Sequence, residues 1–133
     1  MGIRVLWDND ERTIICDEYD PEWTWDDFNA AIMRRRELIA CTPHRVDVII
    51  VVPEKHDLPP RAMARFKQAG ESMPSNMGLT VIVGGGRLTR FTIGTFSRIY
   101  KDLPQVVRTA DSIEAARALL AAARQEADAA RSA

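Results

Sequence analysis

Two cysteines, two histidines and 7% aromatic residues are all that this 133-residue chain offers of the side chains that announce metal centres, disulfide scaffolds or aromatic binding boxes. Cys16 and Cys41 make no CxxC pair and no His-flanked zinc spacing, so they read as ordinary thiols of a reducing compartment. No window approaches the roughly 20 uninterrupted apolar residues of a membrane-spanning helix. The start, Met1 to Leu6, enters a strand pattern directly, with no signal-peptide core, which predicts a cytoplasmic protein with no membrane span. Gly2 raises myristoylation, but Leu6 stands where that signal wants Ser or Thr. An excess of charge is also missing. With 18 Lys+Arg against 19 Asp+Glu, the net −1 argues against a general nucleic-acid binder and against a wholly acidic disordered chain. What is present is 46% hydrophobic residues, enough at this length for a single domain whose core needs no disulfide, metal or cofactor to hold it together.

The balanced total hides a polarity. Residues 1–33 hold 2 basic and 9 acidic side chains, whereas 61–110 hold 8 and 2. The first region is net −7 and the second net +6.

Ile3 to Trp7 and Thr13 to Asp17 are β-prone runs separated by Asp8-Asn-Asp-Glu-Arg12, a turn-forming stretch, and predict a β-hairpin. Thr24 with Asp27 is a capping-box variant, and Phe28, Ala31, Ile32 and Ile39 then recur at helical spacing, which predicts a helix over 25–40. Val46 to Val52 is a nearly continuous apolar run, the signature of a central strand covered on both faces. Pro60 suits a helix first turn ahead of Ala62, Met63, Phe66 and Ala69, and this short helix closes near Gly70. Leu79 to Val83 is a second buried-type strand, broken by Gly84-Gly-Gly86 before a third helix with Leu88, Phe91, Thr95, Phe96 and Ile99 on one stripe. Gln105 to Thr109 gives a last strand, and Asp111 with Glu114 caps a final helix carrying Ile113, Ala116, Leu120 and Ala123. The order β-β-α-β-α-β-α-β-α predicts an α/β domain over 1–123: an N-terminal hairpin joined to parallel strands through βαβ crossovers, in one mixed sheet with helices packed on it. Residues 124–133 are expected to be a solvated, fraying, Ala-rich helix end.

This element order, the Val46 to Val52 strand with its loop and short helix, Gly78-Leu-Thr-Val-Ile-Val83, Val106-Val-Arg-Thr109 and the Asp111-Ser-Ile-Glu-Ala-Ala116 helix start resemble the STAS domain, over about residues 3–122. Trp-Thr-Trp-Asp-Asp-Phe at 23–28 is similar to the first-helix opening of the sporulation-antagonist-like group. The resemblance implies a non-enzymatic regulatory or interaction domain that binds a partner protein or a small ligand. In the anti-sigma-factor antagonists a Ser or Thr at the start of the second helix accepts a phosphate. Here Leu58 or Pro59 stands at that place, so the resemblance does not extend to a phosphorylation switch; the nearest hydroxyls, Thr42 and Ser72, fall outside that loop.

Two loops carry the candidate site. Asp57, Leu58, Pro59, Pro60 and Arg61 lead into the second helix, the surface that the resemblance gives to a partner protein. Gly84, Gly85 and Gly86 let the backbone approach a ligand, and Arg87 and Arg90 add donors suited to phosphate or carboxylate at a helix start. That stretch is either an anion site or a plain strand-to-helix turn with arginines in solvent; lacking GxGxxG and a following Lys-Ser/Thr, it is not a nucleotide loop. Both loops end parallel strands, where open α/β sheets place ligands. The alternative to the interaction domain is therefore a carrier or sensor of an anionic or lipid-like ligand, as in lipid-binding CRAL-TRIO domains. Ile93 and Tyr100 widen the apolar surface of the third helix beyond one face, which allows a partner helix or a homodimer. The remaining features read as structural. Arg34-Arg-Arg36 fans over about 200° of helix surface and is expected in solvent. Asp8-x-Asp10 is a turn, Trp23 or Trp25 a hydrophobic staple, and His44 and His56 are loop residues with no nucleophile to serve.

Overall fold

The computed structural model describes residues 2–53, 61–86, 91 and 107–132. Five strands form one sheet in the order in which they occur: β1 (Ile3–Trp7), β2 (Ile14–Tyr19), β3 (Val46–Val52), β4 (Met77–Gly84) and β5 (Val107–Ala110). β1 and β2 pair antiparallel, with Val5 opposite Asp17, and every later pair is parallel. The α/β class and the mixed sheet are those predicted. Of the helix expected over 88–101 only Phe91 is among the described residues, so the described order is β-β-α-β-α-β-β-α, with helices α1 (Trp25–Ala40), α2 (Ala62–Glu71) and α3 (Ile113–Ser132).

α1 begins where its sequence dictates. The Thr24 hydroxyl accepts from the Asp27 amide at 3.1 Å and the Asp27 carboxylate accepts from the Thr24 amide at 2.9 Å, which satisfies two backbone donors at once. Trp23, the residue before the cap, packs on Phe28 with ring centroids 6.3 Å apart, the expected staple. In the hairpin, Asp8 N donates to Ile14 O, the Asn9 side-chain NH2 donates to the Thr13 hydroxyl while its Oδ1 accepts from the Thr13 backbone amide, and Arg12 takes a left-handed φ of 57°. β2 runs two residues further than predicted, to Tyr19, because Cys16, Asp17 and Tyr19 are all buried in sheet pairing.

Alternation along β3 explains the layering. Val48, Ile50 and Val52 face one core with Phe28, Ile32 and Ile39 of α1 and Ala69 of α2; Ile49 and Val51 face the other with Ala116 and Leu120 of α3. β3 is the middle strand and is covered on both sides, as its continuous apolar run requires.

Three expectations need correction. Arg35, placed in solvent with its neighbours, is buried, because it lies three residues after Ile32 and four before Ile39 on the packed stripe of α1. The cap of α3 is Ser112 rather than Asp111: its hydroxyl accepts from the Ala115 amide at 3.0 Å. Phe91, assigned to a core stripe, is 73% exposed; on a segment apolar over more than one face, spacing alone does not say which face meets solvent. The C-terminal end is also less free than predicted. α3 continues to Ser132, and Arg124, expected in the fraying part, reaches back to Asp47 at 3.0 Å and to the carbonyls of Thr13 and Arg45.

Candidate functional site

Of the residues singled out in sequence, Gly84, Gly85, Gly86 and Arg61 are described; Asp57, Leu58, Pro59, Pro60, Arg87 and Arg90 lie outside the described residues, as does His56. Gly84 and Gly85 take φ of 89° and 77°, conformations that favour glycine. The reason at Gly84 is internal: a Cβ there would lie 2.0 Å from the Val52 carbonyl oxygen, so the strand ends approach too closely for any side chain. That glycine is explained by packing of β4 on β3. Arg61 is exposed and precedes α2, whose first turn has no side-chain cap.

The other polar features settle into structural roles. The Thr42 hydroxyl donates to Leu38 O, and that of Ser72 donates to Ala69 O while accepting from Arg36, so both hydroxyls are engaged in helix ends. His44 Nε2 bonds Arg12 O, and both cysteines are free thiols. Burial, with help from the carboxylates of Glu18, Asp8 and Asp17, pushes the Cys16 thiol up to about 12, which leaves it protonated and unreactive. Among the described residues no three His, Cys, Asp or Glu side chains gather as metal ligands, and no helix is long and apolar enough to cross a membrane.

Two buried polar clusters were not foreseen. Asp47, the one charged residue in the apolar run of β3, is fully buried and accepts from the Leu79 amide at 2.8 Å and from Arg45 Nε at 3.1 Å, with Arg124 on its second oxygen. It fastens α3 to the sheet. Under α1, Asp17 Oδ2 accepts from Arg35 at 2.8 Å with both side chains almost wholly buried. Burial pushes the Asp17 carboxyl up to about 6, and Arg35 opposes that rise without cancelling it. Arg35 also lines a cavity of about 30 Å³ with Tyr19, Thr80 and Phe66, the room of about one water molecule.

The large concavity lies elsewhere, between α1 and α2. It measures about 450 Å³, with Phe28, Ile32 and Ala69 at its base and Met33, Arg36, Arg65 and Gln68 along its walls. Phe28 stacks on Phe66 at 5.5 Å, which holds the two helices side by side. Arg65, early in α2, lies over the Trp25 ring at 4.5 Å, and Ser72, just past the end of α2, bonds Arg36 at 2.7 Å. The helices therefore run the same way, with one guanidinium towards each end of the groove. Met33 is 60% exposed on its wall. Sequence reasoning missed this groove because it weighed loops and single helices; the available signal was Met33 with Asn29 and Arg36 at spacings of four and three, a face next to the core stripe.

Comparison with known proteins found no family model, no curated protein and no solved structure that matches the chain.

Proposed function

We propose that the chain is a non-enzymatic, STAS-like regulatory domain of the cytoplasm that binds a partner protein on the surface where α1 and α2 lie side by side. One observation carries this reading: an open groove of about 450 Å³ with an apolar base, formed by the same helix that the resemblance implicates in partner binding. With Leu58 or Pro59 at the place where the resemblance puts a phosphorylated Ser or Thr, and the nearest hydroxyls, Thr42 and Ser72, engaged in helix ends, the reading has no phosphorylation switch. The test is affinity capture with the wild-type chain and with Met33→Asp, an exposed position where the substitution leaves the core alone, followed by reconstitution from pure components. The reading expects a retained protein whose reconstituted binding falls at least tenfold with Met33→Asp. A reconstituted complex indifferent to that change, or no partner for either form, contradicts it.

The alternative, a carrier of an anionic or lipid-like molecule, draws its support from the Gly85 φ of 77° at the end of β4. Native mass spectrometry before and after organic extraction tests it: extractable bound mass favours the carrier, and an unchanged chain mass removes it.

A further inference from the structure

The charge around the groove specifies what fits it. Among the described ion pairs neither Arg36 nor Arg65 meets a carboxylate: Arg36 holds the Ser72 hydroxyl and Arg65 lies on the Trp25 ring. No Asp or Glu lines the groove. Two unpaired guanidiniums therefore flank an apolar floor made by Phe28, Ile32 and Ala69. Their anchoring contacts, at Trp25 and at Arg36 itself, stand 11 positions apart in α1. At 1.5 Å per residue that is about 16 Å, three helical turns.

We infer that the groove accepts an acidic amphipathic helix of the partner protein, about three turns long, with a carboxylate near each end and apolar residues between them. Eleven residues return a helix almost to the same side, so carboxylates at i and i+11 face one surface and reach Arg65 and Arg36 together, while apolar residues near i+4 and i+7 meet Ile32 and Ala69. Guanidinium forks suit carboxylates in two-point geometry, and each such pair gains where the apolar floor excludes water. This inference rests on the interaction reading above and adds the chemistry of the partner.

The experiment is selection of a displayed library of 15-residue helical peptides on the wild-type chain, with binding of the recovered peptides measured against three variants. Met33→Asp probes the groove; Arg36→Glu with Arg65→Glu probes its charge; Arg108→Glu, an exposed residue of β5 remote from the groove, controls for net charge. The inference expects peptides with Asp or Glu about three turns apart, weakened at least tenfold by the Arg36/Arg65 pair of substitutions and less than twofold by Arg108→Glu. Neutral or basic peptides that Met33→Asp still displaces would overturn the acidic helix and leave the groove reading standing. Peptides indifferent to Met33→Asp, or a selection that enriches nothing, would overturn both. Circular dichroism of the variants separates loss of binding from loss of fold.

Discussion

Asp17 and Arg35 face each other under α1 with almost no solvent contact, and the size of their contribution depends on pH. Removing one partner of a buried pair leaves an uncompensated charge, typically about 3–5 kcal/mol, whereas replacing both with packed apolar groups is often neutral or stabilising. Arg35→Met should therefore cost about 3–5 kcal/mol at pH 7, and Asp17→Val with Arg35→Leu should cost little, as read by urea unfolding. The Asp17 carboxyl sits at about 6 when folded against an ordinary value of 3.8, so the folded chain holds that proton more tightly between these values. Stability from this group is consequently greatest at low pH and is lost as pH rises through about 4 to 6. Wild type measured against the double variant should gain stability as pH falls from 7 to 4.5; a gain in the opposite direction would refute the assignment. Gly84→Ala makes a second claim at this scale. With φ at 89° and the Val52 oxygen in the way, it should destabilise by more than about 1 kcal/mol and move the thermal midpoint down.

Elements were legible to the degree that local chemistry decides them. The bounds of α1 and β3 follow from a capping box, a staple and an apolar run, all local. Arg35 was legible too: three residues after Ile32 and four before Ile39, it falls on the buried stripe, and only the neighbouring arginines disguised it. The roles of Asp47 and Arg124 were not, since they meet across 77 positions of chain and no periodicity links them. α3 is held by Leu120 and Ala116 on the sheet, by Arg117 on Asp8 at 2.7 Å and by Arg124 on Asp47. The Arg117 guanidinium grips Asp8 at two points but is itself about half exposed, so solvent screens the pair to about 1 kcal/mol. Arg124→Ala strips a cation from a fully buried carboxylate and should cost about 1–3 kcal/mol, more than Arg117→Ala, in parallel denaturation curves. Ser112→Ala should remove about 1 kcal/mol by loss of the cap. Equal effects of the two arginines would show that Asp47 does not anchor the helix.

At the scale of the whole molecule, the sheet order sets what faces outward. Among the described elements, sequential strands place α1 and α2 together over one face and α3 over the other, so the only helix–helix groove among them lies between the first two. The charge polarity takes on meaning there. Arg65 belongs to the basic 61–110 region and Arg36 follows the acidic 1–33 region, yet the fold brings both to one groove free of carboxylates. Sequence reasoning favoured an anionic partner and looked for it at the loops; the concavity that suits one arises only when two helices 22 residues apart at their nearest ends pack together, which a reading of segments does not reveal. At 15.0 kDa the chain suits heteronuclear NMR. Titration with a selected acidic peptide is the most direct test of the groove as the binding surface: amide shifts should concentrate at 28–36 and 65–72 with the Trp25 indole moving among them, whereas shifts centred on Gly84–Gly86 with the groove unmoved would contradict the account.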